Sequence, residues 1–337
     1  MAARPRRVTI RDLANETGLS QAAVSYALRG MRVPEETQVR VREAADRLGY
    51  QADPIARALA SGRTGTVGLL CESLDDLWQQ SVAAALGAAL LDTGRSTLIV
   101  DVVNDPAIEA REARRLVDQR VDALITIPAD PGAEHWHEVA QVVPVISLGD
   151  ALPLADTAAE IVFDNDRGVR EGLTQFAKAG HRKVAFLTPN LDATADRPAE
   201  QVVRTLGKEL GMEVEVVTTP FSLDAASAVV QDLLRRKARP TAFFGLADSI
   251  AHGVYDAARE VGLEIPDDVS VIGYDDRPVS RLLSPPLTTF SWPLDDIVPS
   301  VVDHVRSAVE DGVRGVRVVH VATRKVRGSV GRAQESA

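Results

Sequence analysis

Apolar side chains follow two different rhythms along this chain of 337 residues. Up to about residue 50 the spacing is helical: Ile10, Leu13 and Ala14, then Val24, Ala27 and Leu28, then Val39, Val41, Ala45 and Leu48. Thr9 and Asp12 have the spacing of a capping box. Gly18 can take the left-handed conformation that ends a helix, and Ser20 can cap the next one. A third helix is predicted from Pro34 or Glu35 to Leu48, with Glu35 and Glu36 at its positive end and Gly49 as its stop. Two short helices joined by a Gly-containing turn of a few residues make a helix-turn-helix unit.

From Thr66 the rhythm changes to short β-branched runs alternating with helical stretches. Strands are expected at Val67–Cys71, Thr97–Val102, Ala123–Ile127 and Val143–Ser147, with helices over 78–93, 107–120 and 134–141 between them. The rhythm restarts after Ile161. Helices are then expected over 166–179, 197–210, 224–237 and 248–261, with strands at Val184–Leu187, Glu213–Thr218, Ala242–Leu246 and Ser270–Tyr274. Repeated β-α units predict parallel sheets covered by helices. Two such lobes in sequence imply a cleft where the carboxyl ends of their strands face one another.

Charge divides the chain at the same place. Residues 1–63 carry eleven arginines, no lysine and seven acids, a net +4, whereas the remaining 274 carry 27 basic and 41 acidic side chains, a net −14. A small arginine-rich module on an acidic body suits a nucleic-acid-binding head, although an unpartnered basic terminus would show the same asymmetry. Composition is that of a soluble globular protein, at 45% hydrophobic and 26% charged. The longest apolar stretch, Val82 to Leu91, is far below a membrane span of roughly 18 residues, and no apolar signal segment follows the N-terminus. Cytoplasmic localisation, with no membrane association, is expected. The single cysteine, Cys71, excludes a disulfide framework and a four-cysteine zinc site.

Several stretches carry a family resemblance. Val8-Thr-Ile-Arg-Asp-Leu-Ala14, Gly18-Leu-Ser20, Ala23-Val-Ser25, Val33-Pro-Glu-Glu-Thr37, Leu48-Gly-Tyr50 and Asp53-Pro-Ile-Ala-Arg-Ala-Leu59 resemble the head and hinge of LacI/GalR-family transcriptional regulators. Arg120-Val-Asp-Ala-Leu-Ile125, Asp164-Asn165 with Gly168, Ala179-Gly-His-Arg-Lys-Val-Ala185, Ile265 to Asp276, Pro285-Pro-Leu-Thr-Thr289 and Arg327-Gly-Ser329 extend it through the body. The resemblance implies an α/β protein: a helix-turn-helix DNA-binding head at 1–50, a hinge helix or linker at 51–64, and a two-lobed periplasmic-binding-protein-like body. Lobe 1 would be 65–163 with 291–321, lobe 2 would be 164–290 with 322–337, and crossovers would fall near Asp164, Phe290 and Val321.

In such a head the second helix enters the major groove. Gln21 can read adenine through two hydrogen bonds, and Ala22 can pack on a thymine methyl. Tyr26 stands where an arginine that grips guanine is usual, and Arg29 where asparagine is common, so the operator need not be the common one. Thr9, Ser20, Ser25 and Thr37 suit phosphate contacts or helix caps, which position without specifying. Residues 51–62 resemble the family's hinge helix, which orders on DNA; Leu59 would wedge between base steps and Ala56 lie on the contact face. Leu59 packing on the body is the alternative.

The resemblance also implies a small-molecule effector in the cleft, by family default a carbohydrate or related metabolite. Asp275 matches an acid that holds hydroxyl pairs, Arg197 a cleft arginine, Phe221 an aromatic wall, and Asp248 an acid opening a helix of lobe 2. Trp78 and Gln79 fall in Asp76-Leu-Trp-Gln79, which replaces an Asn-Pro-Phe-Phe stretch, and Trp292 stands where a glutamine is frequent. Ala247 replaces an asparagine. Each has a plainer alternative: Asp248 as a helix cap, Asp275 as a loop carboxylate bonded to nearby amides, and the three aromatics as core.

No catalytic constellation is present. Gly245-Leu-Ala-Asp-Ser249 is not a nucleophile elbow, Gly62 to Gly68 lacks the Lys-Ser/Thr of a phosphate loop, and His135 and His137 diverge on a helix. The chain is expected to be no enzyme and to hold neither metal nor cofactor. The function this implies is a repressor acting as a homodimer on a palindromic operator in double-stranded DNA, its affinity set by the effector. The alternative is an effector-independent DNA-binding protein whose body serves only to dimerise.

Overall fold

The structure is a computed structural model that describes residues 8–50, 58, 62–189 and 196–334, with side chains from 200 onward in the last of these segments. Two compact units divide at Thr64 and Gly65.

The first unit is a three-helix head: α1 (Ile10–Thr17), α2 (Gln21–Leu28) and α3 (Glu35–Leu48). The capping box closes α1 in both directions, with Thr9 N donating to Asp12 Oδ2 at 2.8 Å and Asp12 N to Thr9 Oγ1 at 3.4 Å. Gly18 ends that helix at φ 66°, and Ser20 Oγ accepts from Ala23 N at 3.2 Å to start α2. Leu13, Ala14, Val24, Ala27, Val41, Ala44 and Ala45 form the core. Val39, expected inside, is 45% exposed. At about 100° per residue it lies some 200° from Val41, while Ala44, Ala45 and Leu48 continue the stripe that Val41 begins.

The second unit carries two parallel sheets. The first runs β11-β5-β4-β3-β1-β2, built from β1 (Thr66–Cys71), β2 (Ser96–Asp101), β3 (Ala123–Ile127), β4 (Val145–Gly149), β5 (Ala159–Asp164) and β11 (Val316–Val321). Helices α4 (Leu77–Asp92), α5 (Pro106–Asp118), α6 (His135–Val142) and α11 (Leu294–Asp311) belong to it. The second runs β7-β6-β8-β9, from β6 (Lys183–Thr188), β7 (Glu213–Thr218), β8 (Ala242–Gly245) and β9 (Ser270–Ile272), with helices α7 (Asp166–Lys178), α8 (Asp196–Glu209), α9 (Leu223–Leu234) and α10 (Asp248–Glu260).

The chain passes between the sheets three times. It leaves the first through β5, returns along β10 (Thr289–Ser291), and leaves again along β12 (Thr323–Lys325), which pairs antiparallel with β10. Between those passes β11 pairs in parallel with β5, from Val316 against Ala159 to Val321 against Asp164. The tail then ties to the second sheet: Val271 N donates to Ser329 O at 2.9 Å and Thr288 N to Ser329 Oγ at 2.8 Å. His181 is part of that tie, its ring nitrogens 2.9 Å from Thr241 Oγ1 and 2.9 Å from Ser270 Oγ. Burial lowers its pKa, which favours the neutral ring.

Candidate functional site

Two sites follow from this framework, one in each unit. In the head, Gln21 and Ala22 are exposed at the start of α2, and Ser25 and Tyr26 are half-buried one turn on. Arg29 folds back along its own helix, with Nη2 donating to Ser25 Oγ at 2.9 Å and Nε to Ser25 O at 3.2 Å. Its guanidinium stands 5.6 Å from the Tyr26 ring centroid, and that of Arg32 stands 5.5 Å away. Both distances lie within cation–π range. Arg32 was not legible as a site residue, because its left-handed backbone, φ 58°, brings it back over Tyr26 from the turn after α2. The hydroxyls of Thr9 and Ser20 serve as helix caps. Ala56 and Leu59, and with them the hinge reading of 51–62 apart from Ala58 and Gly62, lie outside the described residues.

In the body, the cleft between the sheets holds a cavity of about 110 Å3. Of the expected residues, Trp78, Gln79, Phe221, Asp275 and Trp292 line it. Asp76 caps α4 there, accepting from Trp78 N and Gln79 N, each at 3.2 Å, and so fixes both side chains at the cavity wall. Gln79 bridges outward, with Nε2 donating to Glu72 Oε2 at 3.2 Å and Oε1 accepting from Ser73 N at 3.2 Å. Phe163 joins the aromatic side, edge-on to Trp78 at 5.2 Å and stacked on Trp292 at 4.4 Å. Arg197 lies in the first turn of α8, and its side chain is outside the described residues.

Asp275 sits at φ 103° on the loop after β9, its backbone N donating to Phe290 O at 2.6 Å. Burial, together with the charges of Asp76 and Asp248, holds its carboxyl well above the ordinary range against the pull of Arg277 and a hydrogen bond with Trp292. Asp76 is likewise raised by burial. Arg277 spans the cleft, donating from Nη2 to Asp275 O at 2.9 Å and from Nη1 to Leu77 O at 3.4 Å.

Asp248 opens α10, as expected, but does not cap it. Ala247 is the cap of α10, and the Asp248 carboxylate is fully buried behind the cavity. It accepts from Arg277 N at 2.7 Å, Ser280 Oγ at 2.6 Å and Thr289 Oγ1 at 2.6 Å. Burial outweighs these donors and pushes its pKa up to about 6. Asp248 therefore locks the loop after β9 to the crossover strand β10. Glu72, Asp150, Phe163 and Tyr274 also line the cavity. Asp150 and Phe163 follow or end strands of the first sheet, the place where open α/β sheets bind ligands, which was the available signal.

Among the described residues no group of three or more His, Cys, Asp or Glu side chains has a metal-holding arrangement, and no helix is long and apolar enough to cross a membrane. Burial drives the Cys71 thiol up to about 12, far from a reactive thiolate.

Fold and sites define a class: a two-lobed binding-protein body joined in one chain to a helix-turn-helix head. The family description "periplasmic binding protein-like domain" matches residues 173–330. Catabolite control protein A of Priestia megaterium is 25% identical over 299 residues, covering 86% of this chain and 89% of that protein. The ribose operon repressor of Escherichia coli K12 is 28% identical over 302 residues, covering 88% and 91%. The crystal structure of the lac repressor dimer bound to operator and an anti-inducer shares the fold, with a TM-score of 0.84 at 24% identity over 97% of this chain and all of that one. The chain thus carries a periplasmic-binding-protein-like domain and is similar over most of its length to proteins named as repressors and transcriptional regulators.

Proposed function

We propose that this chain is a repressor that binds a palindromic operator as a homodimer and changes its affinity when a small metabolite, by family default a carbohydrate or a relative of one, occupies the cleft. The observation that carries this reading is the joining of a basic helix-turn-helix to a body with a polar cavity between its lobes. Two-fold protein symmetry calls for a two-fold site, with half-sites about one helical turn apart. Gln21, Ala22 and Tyr26 are the base-reading candidates, Ser25 and Arg29 contact the backbone, and Leu59 with Ala56 enters the minor groove. Closure of the lobes on a ligand alters how the heads are presented, typically by about 1–3 kcal/mol, or 5- to 150-fold in operator affinity.

A second reading is favoured by one observation. Rings of Trp78, Phe163 and Trp292 fill much of the cleft, and about 110 Å3 remains. A body so filled could serve dimerisation alone.

Selection of bound fragments from a random DNA pool by the full-length protein tests the reading. An enriched inverted repeat, bound by two chains, is expected. A single unrepeated half-site, or a bound monomer, would overturn the dimeric operator.

A further inference from the structure

We propose that Arg32 reads a guanine in the major groove, and that Tyr26 is the platform that holds its guanidinium in place. This rests on the reading above in which α2 enters the groove, and it adds the residue and the base.

The first observation is the turn that carries Arg32. Met31 N donates to Tyr26 O at 2.9 Å and Gly30 N to Ala27 O at 3.1 Å. This is the paired bonding of a Schellman stop, with Gly30 in the left-handed conformation at φ 68°. The turn is thus bonded to the residue whose ring the arginines approach. From α3, Gln38 Nε2 donates to Val33 O at 3.1 Å, and Gln38 Oε1 accepts from Arg42 Nη2 at 3.1 Å. Arg32 lies between these two anchors at φ 58°, a conformation uncommon outside glycine. Such backbone persists where its surroundings impose it, and it gathers at ligand-contacting sites.

The second observation is which donors are free. Arg29 commits Nε and Nη2 to Ser25. Arg32 stands 5.5 Å from the Tyr26 ring centroid and makes no hydrogen bond or ion pair among the described residues. Its planar fork of N–H donors is exposed. Tyr26 follows Ala22 by four residues, so both lie on one face of α2, and the fork extends that face.

The third is chemistry. In the major groove guanine presents two acceptors, N7 and O6, whereas adenine sets an amino donor beside its N7, cytosine offers a donor, and thymine has one acceptor beside a methyl. A fork that only donates matches guanine alone with both arms. A phosphate accepts from any nearby cation, and a freely moving side chain would serve. The turn and the ring instead fix the plane of the fork, which a base edge requires.

Selection from a random DNA pool, run in parallel on full-length parent, Arg32→Gly and Tyr26→Leu, tests this. Arg32→Gly accepts the positive φ, and a thermal scan verifies that both variants fold. The parent is expected to select guanine at one position of each half-site by about 5- to 150-fold over other bases. Arg32→Gly is expected to lose that preference and keep the rest of the motif, and Tyr26→Leu to weaken it. With 7-deazaguanine at that position, which lacks the N7 acceptor, the parent is expected to bind at least about fivefold more weakly, and Arg32→Gly no more weakly than before. A guanidinium at a base also neutralises phosphates beside it, so preference at each position, and not salt dependence, separates the two roles.

An Arg32→Gly motif equal to the parent's at every position, with uniformly weaker binding, would make Arg32 a phosphate contact and overturn the proposal while leaving the operator reading standing. Equal losses from 7-deazaguanine in parent and variant would do the same. Full guanine preference in Tyr26→Leu would overturn the platform. Loss of every preference together in folded Arg32→Gly would mark a displaced head and also overturn it. No motif enriched by the parent would overturn both this proposal and the operator reading.

Discussion

The stacking of two guanidinium groups on Tyr26 makes the proposed reading of DNA by α2 testable in quantitative terms. Arg29 and Arg32 stand 5.6 and 5.5 Å from the ring centroid, so the ring holds both side chains before DNA arrives. Ordering one long side chain on binding costs about 0.5–1.5 kcal/mol, and an exposed cation–π contact offsets about 0.5–1 kcal/mol of that. Tyr26→Leu, which removes the ring and no charge, should therefore weaken operator binding by about 1–2 kcal/mol, or roughly 5- to 30-fold at 1.4 kcal/mol per tenfold. Fluorescence anisotropy across a salt series separates this from a lost phosphate contact. Tyr26→Leu should leave the slope of log affinity against log salt unchanged, whereas Arg32→Ala should lower it by about 0.9 for each phosphate it touched. Tyr26→Phe keeps the ring and should bind like the parent. Tyr26→Leu within twofold of the parent, or Tyr26→Phe as weak as Tyr26→Leu, would refute the stacking argument.

Other consequences are spread over the chain. Glu109 on α5 is fully buried, accepts from Ala129 N at 2.7 Å and Asp130 N at 3.2 Å, and is pushed by desolvation up to about 7 from 4.5. Its protonated form is the one the fold favours, so its contribution, on the order of 3 kcal/mol, is complete below about pH 4.5 and lost as pH rises through 7; Glu109→Gln should flatten the dependence of body melting on pH between 5 and 8, and an unchanged profile would count against it. A Cβ at Gly253 would meet Ala226 Cβ at 2.6 Å and backbone atoms of Leu223 and Ser227 at 2.7 and 2.8 Å where α9 crosses α10. Gly253→Ala should cost about 1–3 kcal/mol in denaturant unfolding, and a neutral result would show that the helix pair can separate cheaply. Leu59→Ala should weaken operator binding far more than binding to random DNA, because a wedge acts only on a kinked site; equal losses would remove the wedge.

Local signals carried the fold furthest. The Thr9–Asp12 capping box, the Gly18 stop and the alternation from Thr66 to Tyr274 are short-range features, and each stands in the structure. Elements completed by distant partners were not legible. β5 alternates weakly in burial and ends in Phe163 and Asp164, β10 and β12 are three residues each and exist by pairing with one another, and α11 carries Pro299 inside an acidic start. The cleft shows the same limit. Trp78, Gln79, Phe221, Asp275 and Trp292 were found by resemblance, but Asp248 could not be separated from them, because its three partners lie 29, 32 and 41 residues away and draw its carboxylate behind the wall. Glu72 and Asp150 had no motif to mark them, so their place in the lining emerged only once the two sheets faced each other.

The central claim is that occupancy of the cleft sets DNA affinity. The most direct measurement is the affinity of dialysed full-length protein for its selected operator, with and without the pooled small-molecule fraction of a cell extract, and the same for Asp275→Asn. The account predicts a change of about 5- to 150-fold in the parent and little change in Asp275→Asn. Specific binding that stays within twofold in both proteins, across all fractions, would contradict it.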